Sequence, residues 1–148
     1  MATSTKKGPG TGLLLDDIVG YHLRRAQLRY FAGFAAVMEG LPLTPMLLGT
    51  LLIVDEHPGV NQSDIAEILG ADRSTLVRLV DQLEELGLVV RKPDPADRRS
   101  SVPTLTDEGR TAIARALPRV AASEEELAAS LSEEERTTLL ALLRRINS

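Results

Sequence analysis

The sequence predicts a mainly α-helical fold with one small β-hairpin, and three observations support this prediction. Apolar residues recur at helical spacing through most of the 148-residue chain. Three to four helical segments, joined by very short turns, crowd into residues 44–86. Only two short segments, both after residue 87, have the composition of strands. Such strands are too few and too short to build a sheet-based catalytic fold.

The composition is that of one globular domain. Hydrophobic residues make up 43% of the chain and charged residues 26%, which is ordinary for a folded protein. No run approaches the roughly 18 consecutive apolar residues of a membrane span. Residues 1–12 lack the apolar segment of a signal peptide and are predicted to be a flexible tail. We therefore expect a cytoplasmic protein without membrane contacts, with residues 13–148 as a single domain.

Several kinds of chemistry are excluded by the residues that the chain lacks. It contains no cysteine, and its only histidines are His22 and His57. Disulfides, thiolate catalysis and a histidine-rich zinc site within one chain are therefore ruled out. No Ser–His–Asp constellation, phosphate loop or metal-ligand spacing is present. We expect no catalytic residues, no cofactor and no metal, and hence no enzyme.

Capping residues and breakers set the predicted helix boundaries in the first half. A first helix covers residues 13–38 and ends before Gly40 and Pro42. A second begins after Thr44, with proline at its first position, and runs to Glu56.

Two shorter helices follow after a Pro-Gly break. Asn61 is a plausible N-cap for a helix that ends at Leu69. Gly70 takes the next turn, and Asp72 caps a longer helix to Leu86.

The remaining elements are a hairpin and two more helices. Residues 88–90 and 101–105 are predicted strands, and Pro103 places the second strand at an edge. Thr106 caps a long helix, which Pro118 is expected to kink or interrupt near residue 117. A capping box at Ser132 starts a last helix that ends about Ile146.

The strongest local signal is the segment QSDIAEILGADRSTLVRLV, residues 62–80. A helix-turn-helix unit needs a small residue where its helices cross, here Ala66, and often a glycine in the turn, here Gly70. Four apolar residues can hold the two helices together: Ile65, Leu69, Leu76 and Leu79. An ordinary helical hairpin is the alternative.

The second helix of this unit would enter the major groove of DNA by its N-terminal residues. These are Arg73, Ser74, Thr75 and, one turn later, Arg78, which are residue types that bond bases or phosphates. The alternative is a solvated polar face. The acidic residues of this helix appear only further along it.

The hairpin loop RKPDPADRR is a second signal. We expect Asp97 to pair with Arg91 or Arg99 and to stiffen the tip. Arg98 or Arg99 could then enter a narrow minor groove, where the negative potential is enhanced. An ordinary charged hairpin is again the alternative.

Residues 71–109 resemble the MarR family of bacterial transcription regulators. The resemblance is carried by a helix ending in "LE..GLV.R", a "DP.DRR" wing and a following "LT..G". In this chain the matching residues are Leu83, Glu84, Gly87, Leu88, Val89, Arg91, Asp94, Pro95, Asp97, Arg98, Arg99, Leu105, Thr106 and Gly109.

This resemblance implies a winged helix-turn-helix fold with a helical dimerisation region. Residues 44–106 would form the DNA-binding lobe, and residues 13–43 and 107–148 would form the helices of a homodimer. The expected partner is a palindromic operator in double-stranded DNA, and a repressor is favoured over an activator. Surplus apolar residues in the first and last helices agree with dimerisation.

The net charge of −4 is a mild argument against nucleic acid, but its distribution matters more. Residues 123–135 hold six glutamates and no basic residue. Arginines cluster instead at 24–29 and 91–99. A winged-helix module used only for protein contacts is the alternative to a DNA-binding regulator.

The first helix contains all four aromatic residues and a stripe of basic ones. The resemblance implies a cleft beside this helix for an anionic aromatic ligand. Candidate effector-binding residues are Tyr21, His22, Arg25, Arg29 and Phe31. We expect a small aromatic acid, or its coenzyme A thioester, as effector. Two alternatives stay open: the aromatics are dimer core while the arginines pair with C-terminal glutamates, or the regulator serves efflux or stress genes and responds to other xenobiotics.

Overall fold

A computed structural model describes residues 14–148, so the predicted tail at 1–12 lies outside the described residues. The described part contains six α-helices and one β-hairpin, as predicted, and a short 3-10 turn at Leu15–Asp17, where the sequence placed the start of the first helix. The helices and strands are α1 (Val19–Val37), α2 (Pro45–Glu56), α3 (Gln62–Leu69), α4 (Arg73–Glu85), β1 (Val89–Pro93), β2 (Ser101–Leu105), α5 (Asp107–Leu127) and α6 (Glu133–Ile146). None of these helices is long and apolar enough to cross a bilayer.

The helix starts follow the predicted caps. The side chains of Thr44, Asn61, Asp72 and Thr106 each accept a backbone N–H in the first turn of α2, α3, α4 and α5. Ser132 forms the complete capping box at the start of α6. Local side-chain chemistry therefore fixes where five of the six helices begin.

The core lies around α2, which packs against α3, α4, α5 and β2. Leu47 and Leu51 are almost fully buried in it, and Phe34 reaches it from α1. Val80 and Val89 bring α4 and the first strand onto the same core. This arrangement ties the hairpin and the two helices before it into one rigid unit.

The hairpin is a two-stranded antiparallel sheet in which Arg91 is paired with Pro103. Both strands are edge strands, so the missing N–H of Pro103 is tolerated as expected. The loop between the strands, residues 94–100, projects from the helical core. It forms the wing of the fold.

Helix α5 runs through Pro118, so of the predicted kink or interruption near residue 117 the interruption is wrong. Proline removes the hydrogen bond to the carbonyl of the residue four positions earlier, here Ala114. Both residues are exposed, so water can bond that carbonyl, whereas Ile113 and Ala116 are buried on another side of the helix. Packing of that buried side holds the helix together despite the proline.

Two contacts fix the ends of the long helices. Arg119 of α5 donates from one guanidinium nitrogen to the carbonyls of Val37 and Glu39, at 3.1 and 2.9 Å, and so binds the C-terminal end of α1. Arg136 of α6 donates to Glu125 of α5 at 2.8 Å. The helices outside the winged lobe are therefore held to each other by side chains as well as by apolar packing.

Candidate DNA-binding surface

Helices α3 and α4 form the predicted helix-turn-helix. Ala66 is buried where the helices meet, and Ile65 and Leu76 are fully buried between them. Gly70 has a φ of 67°, a left-handed conformation that glycine adopts without strain. Asp72 then caps α4. This geometry fixes which face of α4 is free.

The free face of α4 carries Ser74 and Arg78. Leu76 and Val80 are fully buried, and Ser74 precedes Leu76 by two residues, which is roughly 200° around the helix. Both Ser74 and Arg78 are exposed. Thr75 is only half-exposed, at the flank of the helix. The four predicted contact residues of α4 therefore lie on different surfaces. Ser74 and Arg78 are on the free face, Thr75 is at its flank, and Arg73 borders a groove beside the wing.

That groove, of about 600 Å³, separates the wing from the start of α3 and α4. Its lining includes Arg73, Arg99 and Asp97, which the sequence analysis singled out. It also includes four polar residues at the start of α3 that were not predicted from the sequence: Asn61, Gln62, Ser63 and Asp64. The only sequence signal for them was the cap at Asn61, which marks a helix start and not a shared surface.

The wing tip is held by hydrogen bonds within the loop. Asp94 accepts from the backbone N–H of Ala96 at 2.8 Å, and Asp97 accepts from that of Arg99 at 3.0 Å. The hydroxyl of Ser100 donates to the carbonyl of Asp97 at 3.0 Å. Aspartates that bond the backbone two residues on are typical of tight turns. The predicted stiffening of the tip by Asp97 therefore occurs, but through the backbone of Arg99.

The predicted pairing of Asp97 with the side chain of Arg91 is wrong. Arg91 instead points back from β1 onto α4. Its guanidinium forms ion pairs with both Asp81 and Glu84, and its backbone N–H donates to Glu84 at 3.2 Å. The chain reverses after Gly87, which brings Arg91 beside carboxylates that lie seven and ten residues earlier. This contact holds the wing against α4.

The remaining arginines of this surface are unpaired within the described part of the chain. Arg73, Arg78, Arg98 and Arg99 take part in none of its ion pairs. Their positive charge is therefore available to a ligand, in contrast to that of Arg91. An exposed helix face flanked by a loop with two unpaired arginines, Arg98 and Arg99, is suited to the grooves and phosphates of duplex DNA.

The candidate effector residues do not share one cavity in the protomer. His22 borders a groove of about 660 Å³ between α1 and α6, and Arg29 lines a cavity of about 200 Å³ between α1 and α5. Arg25 lies 5.7 Å from the ring centre of Tyr21 and is exposed. Phe31 is 44% exposed and, two residues after Arg29, faces away from it.

The cavity beside Arg29 is also lined by the buried Ser123 and by Tyr30. Burial raises the pKa of the Tyr30 phenol, and the nearby Glu124 adds to this. Tyr30 therefore stays protonated and can donate a hydrogen bond. Ser123 could not be predicted from the sequence, because nothing in its neighbourhood on the chain distinguishes it.

Comparison with known proteins agrees with this geometry. Residues 41–100 match the model of the MarR family. A putative transcriptional regulatory protein for the hcr operon of Thauera aromatica is 41% identical over 131 residues, covering 86% of this chain and 78% of that protein. The chain belongs to the MarR family. This family consists of transcription regulators, so the protein is a transcriptional regulator of the MarR type.

Solved structures of MarR-type regulators share the whole fold. The transcriptional repressor CouR bound to a 23-mer DNA duplex has a TM-score of 0.85 and 40% sequence identity, covering 93% of this chain and 100% of that one. CouR bound to p-coumaroyl-CoA has a TM-score of 0.82 and 40% identity, covering 90% of this chain and 94% of that one. The winged helix-turn-helix fold expected from the sequence is confirmed.

Proposed function

We propose that this MarR-type regulator is a homodimeric repressor that binds a palindromic operator and is released by an anionic aromatic effector. Residues 44–106 supply the DNA contacts, and the helices on either side supply the dimer. The observation that carries the proposal is the free face of α4, with Ser74 and Arg78 outward and the unpaired arginines of the wing beside it. The DNA complex of the similar repressor CouR supports it.

The dimer is proposed because α6 buries none of its residues in the protomer. Leu139, Leu142 and Ile146 are 44–57% exposed and line the groove of about 660 Å³ with the first turns of α1. An exposed apolar surface of this kind marks an interface with another molecule. A second copy of the chain can cover it with the same helices, and a two-fold dimer presents two α4 helices about 34–36 Å apart, one turn of DNA.

The test of DNA binding is a gel-shift titration on the DNA upstream of the protein's own gene. We expect a discrete complex at nanomolar protein that survives an excess of random DNA. Arg78→Ala should weaken this complex about 10-fold or more, and should relax the preference at one base pair, because arginine bonds guanine in the major groove. A complex that random DNA removes as readily as the specific duplex contradicts the proposal.

Arg91 is expected to matter for DNA affinity and little for stability. Arg91→Ala removes the ion pairs to Asp81 and Glu84, leaving two uncompensated carboxylates on the helix that meets the DNA. We expect about a 10-fold loss of operator affinity from this repulsion. The melting temperature should change little, because exposed ion pairs contribute at most about 1 kcal/mol.

The matched control for Arg91 is Arg110→Ala. Arg110 forms an exposed ion pair with Asp107 on α5, away from α4. Its removal should leave operator affinity unchanged. An Arg91→Ala variant that binds the operator as tightly as the native protein would show that the carboxylates of Asp81 and Glu84 do not repel the DNA.

The effector is proposed to be a small aromatic acid or its coenzyme A thioester. Arg25 and Arg29 lie one turn apart on α1 and pair with no carboxylate among the described residues. The C-terminal glutamate that does form an ion pair, Glu125, pairs with Arg136. Free guanidinium groups bind carboxylates and phosphates well. The complex of CouR with p-coumaroyl-CoA supports this class of ligand.

Calorimetry with a panel of aromatic acids and their thioesters tests the effector. Arg25→Ala and Arg29→Ala should each weaken binding of the anion about 10-fold, through loss of a charge-assisted hydrogen bond. Arg24→Ala is the control, because Arg24 lies on a different side of α1. Dissociation constants above the millimolar range, or the same affinity in both variants as in the native protein, would exclude this class of ligand.

A further inference from the structure

Asp72 accepts hydrogen bonds from the hydroxyl groups of two predicted DNA-contact residues, Ser74 and Thr75. Ser74 donates from its hydroxyl to one carboxylate oxygen of Asp72 at 2.6 Å. Thr75 donates from its hydroxyl to the other oxygen at 2.7 Å, and from its backbone N–H to the first at 2.8 Å. The bonds from Ser74 and Thr75 hold the pKa of Asp72 well below its ordinary value. Asp72 is therefore ionised and can only accept.

The direction of these bonds decides what Ser74 can offer to DNA. A serine hydroxyl has one proton to donate and two lone pairs that accept. The proton of Ser74 is taken by Asp72, so only its lone pairs remain. Ser74 is exposed and lies on the side of α4 opposite Leu76, whereas Thr75 is half-buried. Ser74 is thus an outward acceptor at the N-terminal end of the helix.

An acceptor at this position selects among the groups of DNA. Phosphate oxygens, guanine O6 and N7 and thymine O4 are all acceptors and need a donor from the protein. In the major groove only adenine N6 and cytosine N4 donate. We propose that Asp72 makes Ser74 a specificity residue that accepts from the exocyclic amine of an adenine or a cytosine in the operator. This inference rests on the proposed DNA binding.

Rotation of Ser74 toward a phosphate would work against this arrangement. The bond from Ser74 to Asp72 is short and has a charged acceptor, which is the strong class of hydrogen bond. Breaking it would also remove one of the donors that the ionised carboxylate of Asp72 accepts. The hydroxyl therefore keeps its orientation in the complex.

The test starts from the native protein and a randomised duplex library, from which its preferred operator is selected. Fluorescence anisotropy then measures the affinity of native protein and Ser74→Ala for operators that carry each base pair at each position. Ser74→Ala should lose about 10-fold of discrimination at one position that native protein requires to be A or C. Replacing that base by an analogue without its exocyclic amine should weaken the native protein equally and leave Ser74→Ala unchanged.

Two further variants separate this role from a structural one. Asp72→Gly keeps a tolerated N-cap residue but removes the acceptor of the Ser74 proton, so it should relax preference at the same base pair as Ser74→Ala. Ser130→Ala, a serine of the α5–α6 turn remote from α4, should leave every preference intact.

The possible failures are distinguishable. A library that yields no preferred sequence for the native protein overturns the proposed function. If the native protein selects an operator but Ser74→Ala weakens operator and random DNA equally, Ser74 is a phosphate donor and the inference is wrong. Unchanged preference in Ser74→Ala overturns it as well.

Discussion

Leu142→Glu is expected to convert the regulator from a dimer to monomers and to weaken operator binding at least 100-fold. Leu142 is 47% exposed in the protomer and lines the apolar groove between α1 and α6. A carboxylate placed there would lose its water when a second copy covers this mostly apolar groove, which costs several kcal/mol at each of two symmetric sites. A monomer has only one α4 helix. It therefore lacks the additional affinity that a dimer gains by binding two half-sites at once.

Sedimentation of the purified variant and a gel-shift titration measure the two effects. Thr137→Glu is the matched control, because it adds the same charge to α6 on the side opposite Leu142. It should remain a dimer and bind DNA normally. A Leu142→Glu variant that stays dimeric would place the dimer contact away from this groove. A monomeric variant with unchanged affinity would show that one protomer suffices for operator recognition.

The elements of the fold could be predicted well because their boundaries depend on local chemistry. Thr44, Asn61, Asp72 and Thr106 accept backbone N–H groups from residues three positions later, so a short window of sequence contains the whole interaction. The interruption at Pro118 was predicted wrongly for a related reason. The free-energy cost of a proline within a helix is local, but the burial of Ile113 and Ala116, which outweighs that cost, depends on distant parts of the chain.

The candidate site could be predicted only in part, because its residues meet through the fold. Asp97 was expected to pair with Arg91 or Arg99, but the reversal at Gly87 brings Arg91 to Asp81 and Glu84. Neither partner is singled out by the sequence, where both are ordinary acidic residues of a solvated helix.

The effector residues illustrate the same limit on a single helix. Periodicity groups His22, Arg25 and Arg29 along one stripe of α1, whereas Phe31, which was also a candidate, lies away from Arg29. It cannot tell which neighbouring helix closes each cavity. The contribution of Ser123 and Tyr30 beside Arg29 depends on how α5 packs against α1.

Gly109→Ala is expected to destabilise the protein by about 3 kcal/mol, because the new methyl group has no room. A Cβ at this position would lie 2.1 Å from the carbonyl oxygen of Leu88, which is backbone and cannot rotate away. The same carbonyl accepts from the backbone N–H of Thr106 at 3.1 Å. The Thr106 hydroxyl, which caps α5, also donates to the carbonyl of Gly87 at 2.7 Å. Any shift that admits the methyl group therefore weakens the junction of α4, β1 and α5.

Thermal unfolding of Gly109→Ala should show a melting temperature about 10 °C below that of the native protein. The control is Gly20→Ala in α1, where nothing lies within 4 Å of the added Cβ. Alanine favours a helix over glycine by about 0.5–1 kcal/mol, so this variant should melt at the same temperature or slightly higher. Equal stability of the two variants would mean that α5 can move away from Leu88 at no cost. The wing would then be joined only loosely to the dimer helices. A large fall in melting temperature in Gly109→Ala alone indicates a rigid junction instead. Through such a junction, a structural change at α1 and α5 can reach α4.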